Sequence, residues 1–446
     1  YVYPLEESFR VKMGLPEGSG LGAIDITAGI DGRDWAEKEF GGASLGDERL
    51  SQRLVEIAGD KAEQPGRSYG GARGGDWPRV KAYYRFIDKP DDTAVTMPAI
   101  LQPHRERTIQ RMKAQKTVLC IQDGSDLNYS TLERCEGLGF VGTNQTGKQS
   151  KGLHLHSTFA VTSSGLPLGV LRAECKAREQ RSQEDRRALS AIPIEEKNAF
   201  SWIQGMRDCM EIKQLMPHTS LISVMDREAD FFEIFDDQRR KSSRVDLLIR
   251  AQHNRKTMGE HKLFEEVMQS PVRSRITIKI PRQSARVKKK NQKARSMRAA
   301  RSAEVTVRYI QTELKPPPSF EKMAPIPLWI IHVKEEKPPA GTKAVEWFLL
   351  TTIDLQSPSD ALNCIAWYCL RWRIEDWHRV LKSGCGVEAL AHKTAERLRR
   401  AIAINLVIAW RIMLMTLLGR EMPELPPEIL FSDIEIKVLQ AYAKKK

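Results

Sequence analysis

Tyr368, Arg371, Glu375 and Lys382 stand at offsets of 0, 3, 7 and 14 within the segment Tyr368-Cys-Leu-Arg-Trp-Arg-Ile-Glu-Asp-Trp-His-Arg-Val-Leu-Lys382. At about 100° per residue, a helix would gather these four side chains within roughly 60° of one another. A carboxylate, two fixed cations and a phenol on one stripe suit a site that holds a metal ion and a phosphate together. The plainer alternative is local. Glu375 could pair with Arg371 at i−4 and Arg379 at i+4 as ordinary helix-surface ion pairs.

Two more carboxylates follow apolar runs. Asp123 comes directly after Thr117-Val-Leu-Cys-Ile-Gln122, and Asp226 directly after Leu221-Ile-Ser-Val-Met225. Both runs read as buried strands, and ligands of α/β proteins bind outside the carboxyl ends of strands. Taken singly, an Asp in that position is most often a turn or helix cap. Three carboxylates from three elements would instead bind hard divalent cations through oxygen, as Mg²⁺ prefers. Two such ions about 3.5–4 Å apart can activate an attacking oxygen and stabilise a leaving one in phosphoryl transfer. Arg371 and Lys382 would then grip phosphate oxygens.

The elements that must position these groups are partly legible. Ser357 can cap a helix, with Pro358 at its first position and Asp360 at its third. That helix is predicted to run to about Lys382 and to end at Gly384. Leu362, Ile365, Cys369 and Trp372 form its apolar stripe, so Trp372 is expected in the core or probing a base, and Trp367 and Trp377 in packing. Leu153–Val161 and Leu166–Leu171 read as strands joined by a turn at Thr162-Ser-Ser-Gly165. Helices are expected over about Glu195–Met210 and Glu228–Arg240, and a strand over Val245–Arg250. This order gives an α/β fold with a mixed sheet.

Residues 252–345 interrupt that order as a β-rich insertion, with strands over Ser274–Ile280, Ala303–Ile310 and Leu328–Val333. Inside it, Lys279 to Arg301 holds ten Lys and Arg and no acid, which is expected to be a basic hairpin tip touching a phosphate backbone. Residues 34–111 read as helical. One helix spans Gly46–Gly59, with Leu50, Leu54 and Ile57 apolar. Another spans Trp77–Ile87, with Val80, Tyr84 and Ile87 inward and Arg79, Lys81 and Arg85 outward. Gly66–Gly75 between them is expected to be a loop. Residues 1–33 read as a leader or extension, residues 112–393 as the α/β domain, and residues 394–446 as a C-terminal helical segment with a short tail.

Composition bounds the function. The 446 residues carry 71 Lys and Arg against 57 Asp and Glu, a net charge of +14, so the expected partner is a polyanion, with nucleic acid foremost. No span of about 18 apolar residues occurs; Ala401–Leu418 is interrupted by Asn405 and Arg411 and reads as a buried helix. No secretory signal is expected. The 7 cysteines form no C-x-x-C pair and are odd in number, pointing to reduced thiols in a cytosolic setting. His154-x-His156 has no third ligand nearby and reads as structural or DNA-contacting.

The combination resembles bacterial DDE transposases of the IS-four family, in particular its kanamycin-transposon branch. Asp226-Arg-Glu-Ala-Asp230 is similar to the segment at that family's second catalytic aspartate, and Tyr368–Lys382 matches its Y-(2)-R-(3)-E-(6)-K signature without a gap. Ile121-Gln-Asp123, Ala82–Ile87 and Leu45–Leu50 resemble their counterparts, and the resemblance spans about residues 34–420. It implies an RNase H-like catalytic core with a β-rich insertion, flanked by a helical N-terminal DNA-binding domain and C-terminal helical segments.

Asp123, Asp226 and Glu375 would then be the catalytic, metal-binding triad for two Mg²⁺ ions, with Mn²⁺ able to substitute. Tyr368, Arg371 and Lys382 would hold phosphates near the distorted terminal bases, and Arg250 matches a DNA-contacting arginine; Arg379 and Trp372 are further candidate DNA contacts. Trp347 would stack a flipped base, although on its own it reads as a core aromatic of a strand. The implied activity is cut-and-paste transposition: a nick leaving a 3′-OH, a hairpin intermediate, and strand transfer into target DNA. The implied partners are double-stranded DNA, both terminal inverted repeats and target, and a second copy in a synaptic homodimer. The implied setting is the bacterial cytoplasm at the nucleoid, with no membrane. The chain ends about where the family continues into dimerisation helices. The alternatives are an RNase H-like nuclease without strand transfer and a catalytically silent DNA-binding regulator.

Overall fold

The apolar run that starts at Thr117 makes the central strand of one large sheet. The structure, a computed structural model, describes residues 2–3, 24–25, 34–143, 148–179, 192–241, 244–280, 299–421 and 425–444. Most of the predicted leader and the tip of the predicted basic hairpin lie outside the described residues. In chain order the strands are β1 (Thr117–Asn128), β2 (Gly139–Thr143), β3 (Gln149–Thr162), β4 (Pro167–Lys176), β5 (Ser220–Met225) and β6 (Asp246–Arg250). They continue with β7 (Ser274–Ile280), β8 (Arg301–Leu314), β9 (Ile326–Glu335) and β10 (Glu346–Thr351).

These make a ten-stranded mixed sheet in the order β2-β3-β1-β5-β6-β10-β9-β8-β7, with β4 also on β3. β1, β3 and β4 are antiparallel, whereas β5 and β6 run parallel to β1. The β3–β4 turn falls where expected, with Gly165 at φ +96°, a backbone that glycine adopts freely. The predicted insertion is not a separate β unit. β10 pairs antiparallel with β6, and β9, β8 and β7 add in turn, so the insertion widens the core sheet.

Period-2 alternation explains how the sheet is covered on both faces. Leu119 and Ile121 of β1 pack in one core with Phe159, Ile365, Ile374 and Trp377, while Val118 and Cys120 pack in a second with Trp202, Met206 and Cys209. The second core lies under α6 (Phe200–Gln214) and α7 (Phe232–Arg240); α8 (Leu263–Gln269) belongs to it as well. The first lies under α9 (Pro358–Cys369), α10 (Trp372–Arg379) and α11 (Ala395–Glu421). α11 is apolar enough to cross a membrane by composition, yet 78% of that stretch is buried inside the protein; it is a core helix. A last helix, α12 (Asp433–Ala443), occupies the segment expected to be a tail and is capped by Ser432 and Glu435.

The N-terminal region is helical: α1 (Trp35–Phe40), α2 (Glu48–Glu63), α3 (Tyr69–Ala72), α4 (Trp77–Ile87) and α5 (Met97–Lys113). Asp47, Ser68, Asp76 and Thr96 accept from the first-turn N–H groups of α2, α3, α4 and α5. Two sequence expectations fail here. The stretch Gly66–Gly75 contains α3, which is anchored where Tyr69 donates to Asp60 at 2.6 Å and stacks on Tyr83 at 4.3 Å. That stacking, with the Tyr83 hydroxyl 3.1 Å from His392, sets the phase of α4. Tyr83 is therefore buried and Tyr84 is 42% exposed, the reverse of the expected assignment.

The region is keyed to the rest of the chain by buried arginines. Arg111 of α5 contacts Glu39 of α1 at 2.8 Å and donates to the Leu168 carbonyl of β4 at 2.6 Å. Arg400 of α11 is fully buried. It donates to the carbonyls of Val95, Ile87 and Pro90 at 2.7, 2.9 and 2.9 Å, and to that of Lys89. Arg400→Met should leave those carbonyls without a donor and cost ~3 kcal/mol or more. Urea denaturation measures it, and a loss below ~1 kcal/mol would show that Arg400 does not hold the α4–α5 connection.

Candidate active site

Each predicted carboxylate reaches the site by a different local route. The buried apolar run of β1 gives way to polar residues at Asp123, which lies inside the strand opposite Ser157 of β3, not beyond its end as expected. β1 runs on to Asn128 because its later residues keep pairing with β3. Asp226 follows β5 directly and starts a 3₁₀ turn over Arg227–Ala229. Glu375 lies on α10.

The helix expected to run unbroken to Lys382 starts as predicted, with the Ser357 N–H donating to Asp360 at 2.8 Å. It then breaks at Leu370–Arg371. There the Arg371 N–H bonds back three residues to the Tyr368 carbonyl at 3.0 Å, the tighter 3₁₀ pattern. After α10 the chain widens into a π turn over Val380–Gly384. The break resets which positions face inward. Ile374, Trp377 and His378 are buried, whereas Trp372, expected on the apolar stripe, is 53% exposed.

The three carboxylates converge on one guanidinium. Arg371 lies 2.6 Å from Glu375, 3.5 Å from Asp123 and 3.7 Å from Asp226. The i−4 ion pair considered from sequence is thus present, but it is one arm of a larger cluster. Arg371 is buried and its planar face lies 5.2 Å from the Trp372 ring. Tyr368 donates to Asp226 at 3.1 Å and meets the Trp347 ring edge-on at 5.9 Å. Arg250 stands at the end of β6.

Lys382 stands apart from the carboxylates. Its Nζ donates to the Asp126 carbonyl of β1 at 2.7 Å, because the π turn carries it off the stripe. Arg379 pairs with Asp376 at 2.7 Å, not with Glu375, and its side chain is 71% exposed.

The electrostatics follow from this crowding. Burial, opposed by Arg371 and the Gly124 N–H and reinforced by Glu375 and Asp226, raises the Asp123 carboxyl to about 6. Burial and the charge of Asp226 push the Tyr368 phenol upward. Burial works against the Arg371 charge, but Asp226, Asp123 and Glu375 hold its proton more tightly than usual. Three carboxylates against one guanidinium, −3 and +1, leave two negative charges if all are ionised.

That donor set is all oxygen and comes from three separate elements, which suits a hard divalent cation. Among the described residues no three His, Cys, Asp or Glu side chains are spaced to hold an ion; the contacts of the three carboxylates here are with the Arg371 guanidinium. The donor chemistry suits Mg²⁺ or Mn²⁺; the spacing as it stands does not form a metal site among the described residues.

Several supporting residues were not singled out from sequence. Ser157, paired with Asp123 across the ladder, lies 3.0 Å from the buried His378 of α10, which ties α10 to β3 beside the site. Trp377, which the sequence did place in packing, donates to the Leu406 carbonyl and stacks on Phe159 at 4.7 Å. Asp230, whose side chain is fully buried, accepts from the N–H groups of Gln252 and His253 at 2.7 and 2.9 Å and pairs with Arg255 at 2.9 Å. It binds the turn after Asp226 to the residues that follow Arg250. Its position at the end of Asp226–Asp230 was the available signal. His154 pairs with Asp126 at 2.7 Å, and His156 is buried edge-on to Trp202, contacts that suit a structural role.

Residues 32–91, which include α1 to α4, match the sequence family described as transposase DNA-binding. A solved structure described as the cryo-EM structure of the piggyBac transposase synaptic complex with hairpin DNA aligns over 94% of this chain and 72% of that chain. The identity is 9% and the TM-score 0.35, below the level at which two chains share a fold.

The raised Asp123 value has a sign that can be tested. An acid whose folded-state value lies above its unfolded one binds protons more tightly when folded, so stability falls as pH rises between the two values. Asp123 therefore destabilises the native state above about pH 6, by ~3 kcal/mol at most. Asp123→Asn should gain stability relative to the wild type between pH 4 and pH 7. Denaturant titrations across that range measure the gap, and a gap that is flat or shrinks toward pH 7 would contradict the electrostatic account.

Proposed function

We propose that this chain is a DNA transposase with an RNase H-like catalytic core. The observation that carries the proposal is the meeting of Asp123, Asp226 and Glu375 around Arg371, in a chain whose residues 32–91 match a transposase DNA-binding family. The strand order supports the core: antiparallel β4, β3 and β1, then parallel β5 and β6, with carboxylates on the first core strand in chain order and after the fifth. The net charge of +14 suits a protein that handles duplex DNA.

Asp123, Asp226 and Glu375 would hold two divalent cations, Mg²⁺ or Mn²⁺, which when bound would activate the attacking oxygen and stabilise the leaving one. The chain's own residues do the rest. Arg371 and Arg250 neutralise phosphate oxygens. Tyr368, Trp347 and the exposed Trp372 contact the distorted terminal nucleotides. Lys382 and Arg379 border this surface, Lys382 after releasing the Asp126 carbonyl. Water first breaks the P–O3′ bond at the transposon end, leaving a 3′-OH on the transposon and a 5′-phosphate on the flank. The 3′-OH then attacks the opposite strand to close a hairpin and release flanking DNA. Hydrolysis reopens the hairpin before the same 3′-OH attacks target DNA. Two copies on two ends would form the synaptic dimer, in the bacterial cytoplasm.

The outward stripe of α4 is the proposed duplex-reading surface. Trp77 is 63% exposed, Lys81 lies 5.7 Å from its ring, and Tyr84 and Arg85 continue the stripe.

The test incubates the protein with Mg²⁺, a labelled duplex of the DNA flanking its gene, and a target plasmid. Strand-transfer products are expected, and Glu375→Ala should reduce them at least about 100-fold. Nonspecific degradation would favour the plain nuclease, and a gel shift without cleavage the silent regulator. Replacing Lys81 and Arg85 together by Ala should lower the salt slope of binding to that duplex by about 2. An unchanged slope would place the duplex elsewhere.

A further inference from the structure

The carboxylate cluster is assembled, but around the wrong cation for catalysis. Arg371 touches all three carboxylates and leaves them no room to share an ion. Its hold is incomplete in an informative way. Arg371 is buried, yet its Nε has no hydrogen-bond partner. It also sits at the joint between α9 and α10, where the helical hydrogen-bond pattern is interrupted. A guanidinium fork accepts a phosphate as readily as a carboxylate, and the Tyr368 phenol, which bonds Asp226, packs edge-on to the Trp347 ring beside it.

We infer that Arg371 is a placeholder cation, which pairs with Asp123, Asp226 and Glu375 while no DNA is bound and transfers to a DNA phosphate when an end docks. This rests on the reading of the three carboxylates as the metal site. Its consequence is that metal and DNA bind as a linked pair. With Arg371 on the carboxylates the cluster keeps two negative charges and a blocked centre. With Arg371 on phosphate it has three negative charges and an open one. Each ligand therefore favours the state that the other requires, and the coupling is reciprocal. A transposase so built would not load metal on its own and would not nick DNA it had not docked. No covalent step is involved; the guanidinium exchanges one oxyanion for another.

The test reads metal binding, not catalysis. Free Mn²⁺ is followed by electron paramagnetic resonance during titration of the wild type, Arg371→Ala, Arg371→Gln and Asp123→Asn, each with and without a short duplex of the DNA flanking the gene. Arg371→Gln keeps the stem and its polar end, and so preserves packing where alanine does not. Without DNA, both Arg371 variants should bind Mn²⁺ at least about tenfold more tightly than the wild type, within the usual range of coupled sites. Adding the duplex should tighten Mn²⁺ binding in the wild type and much less in the variants. Equal or weaker Mn²⁺ binding by the DNA-free variants, with binding still lost in Asp123→Asn, would overturn this inference alone. Binding that survives unchanged in Asp123→Asn would instead remove the metal-site reading beneath it.

Discussion

One guanidinium organises the site. Arg371 joins a carboxylate from the middle of β1, one from the end of β5 and one from α10. Its positive charge offsets the mutual repulsion of three carboxylates gathered in a largely buried setting. Burial first, with a smaller part from Glu375 and Asp226, still raises the Asp123 carboxyl to about 6 against the pull of Arg371. The surrounding structure holds the cluster together despite that residual charge. The Ser157–His378 contact fixes α10 on β3, and the Lys382 bond to the Asp126 carbonyl fixes the π turn on β1. This is the arrangement expected where stability is given up for function.

The N-terminal helices are part of the same construction. Arg400 and the Arg111–Glu39 pair anchor them on α11 and β4. Tyr83 and His392 join α4 to the segment that follows the π turn. A closer seam lies at the glycines. A Cβ on Gly386, which has φ +62°, would lie 3.1 Å from the Gly66 carbonyl oxygen, and one on Gly66 would lie 3.2 Å from that of Gly384. The backbone of the family-matched region thus rests directly on the end of the π turn that follows α10.

Much of this was legible in the sequence, for physical reasons. Offsets of 0, 3 and 7 survive a local helix break, so Tyr368, Arg371 and Glu375 meet the two aspartates. The offset of 14 does not survive, because the break at Leu370–Arg371 and the π turn both shift the phase, and neither leaves a mark such as proline. The same shift exposes Trp372. Asp123 was read as following its strand because the apolar run stops there, but ladder pairing with β3 depends on partners that a linear reading cannot see. Tyr83 and Tyr84 are adjacent and alike; only the stacking on Tyr69, a tertiary contact, chooses between them. The insertion's strands were visible as short β runs, but their fusion with the core sheet depends on the β10–β6 pairing, which joins residues about a hundred positions apart.

The most direct measurement is a crystal structure of the protein bound to its end duplex in Mn²⁺, with the metal located by anomalous scattering. The account predicts anomalous peaks ligated by Asp123, Asp226 and Glu375, with Arg371 turned onto a DNA phosphate. Metal bound away from these three carboxylates, or Arg371 still bridging them beside a bound end, would contradict it.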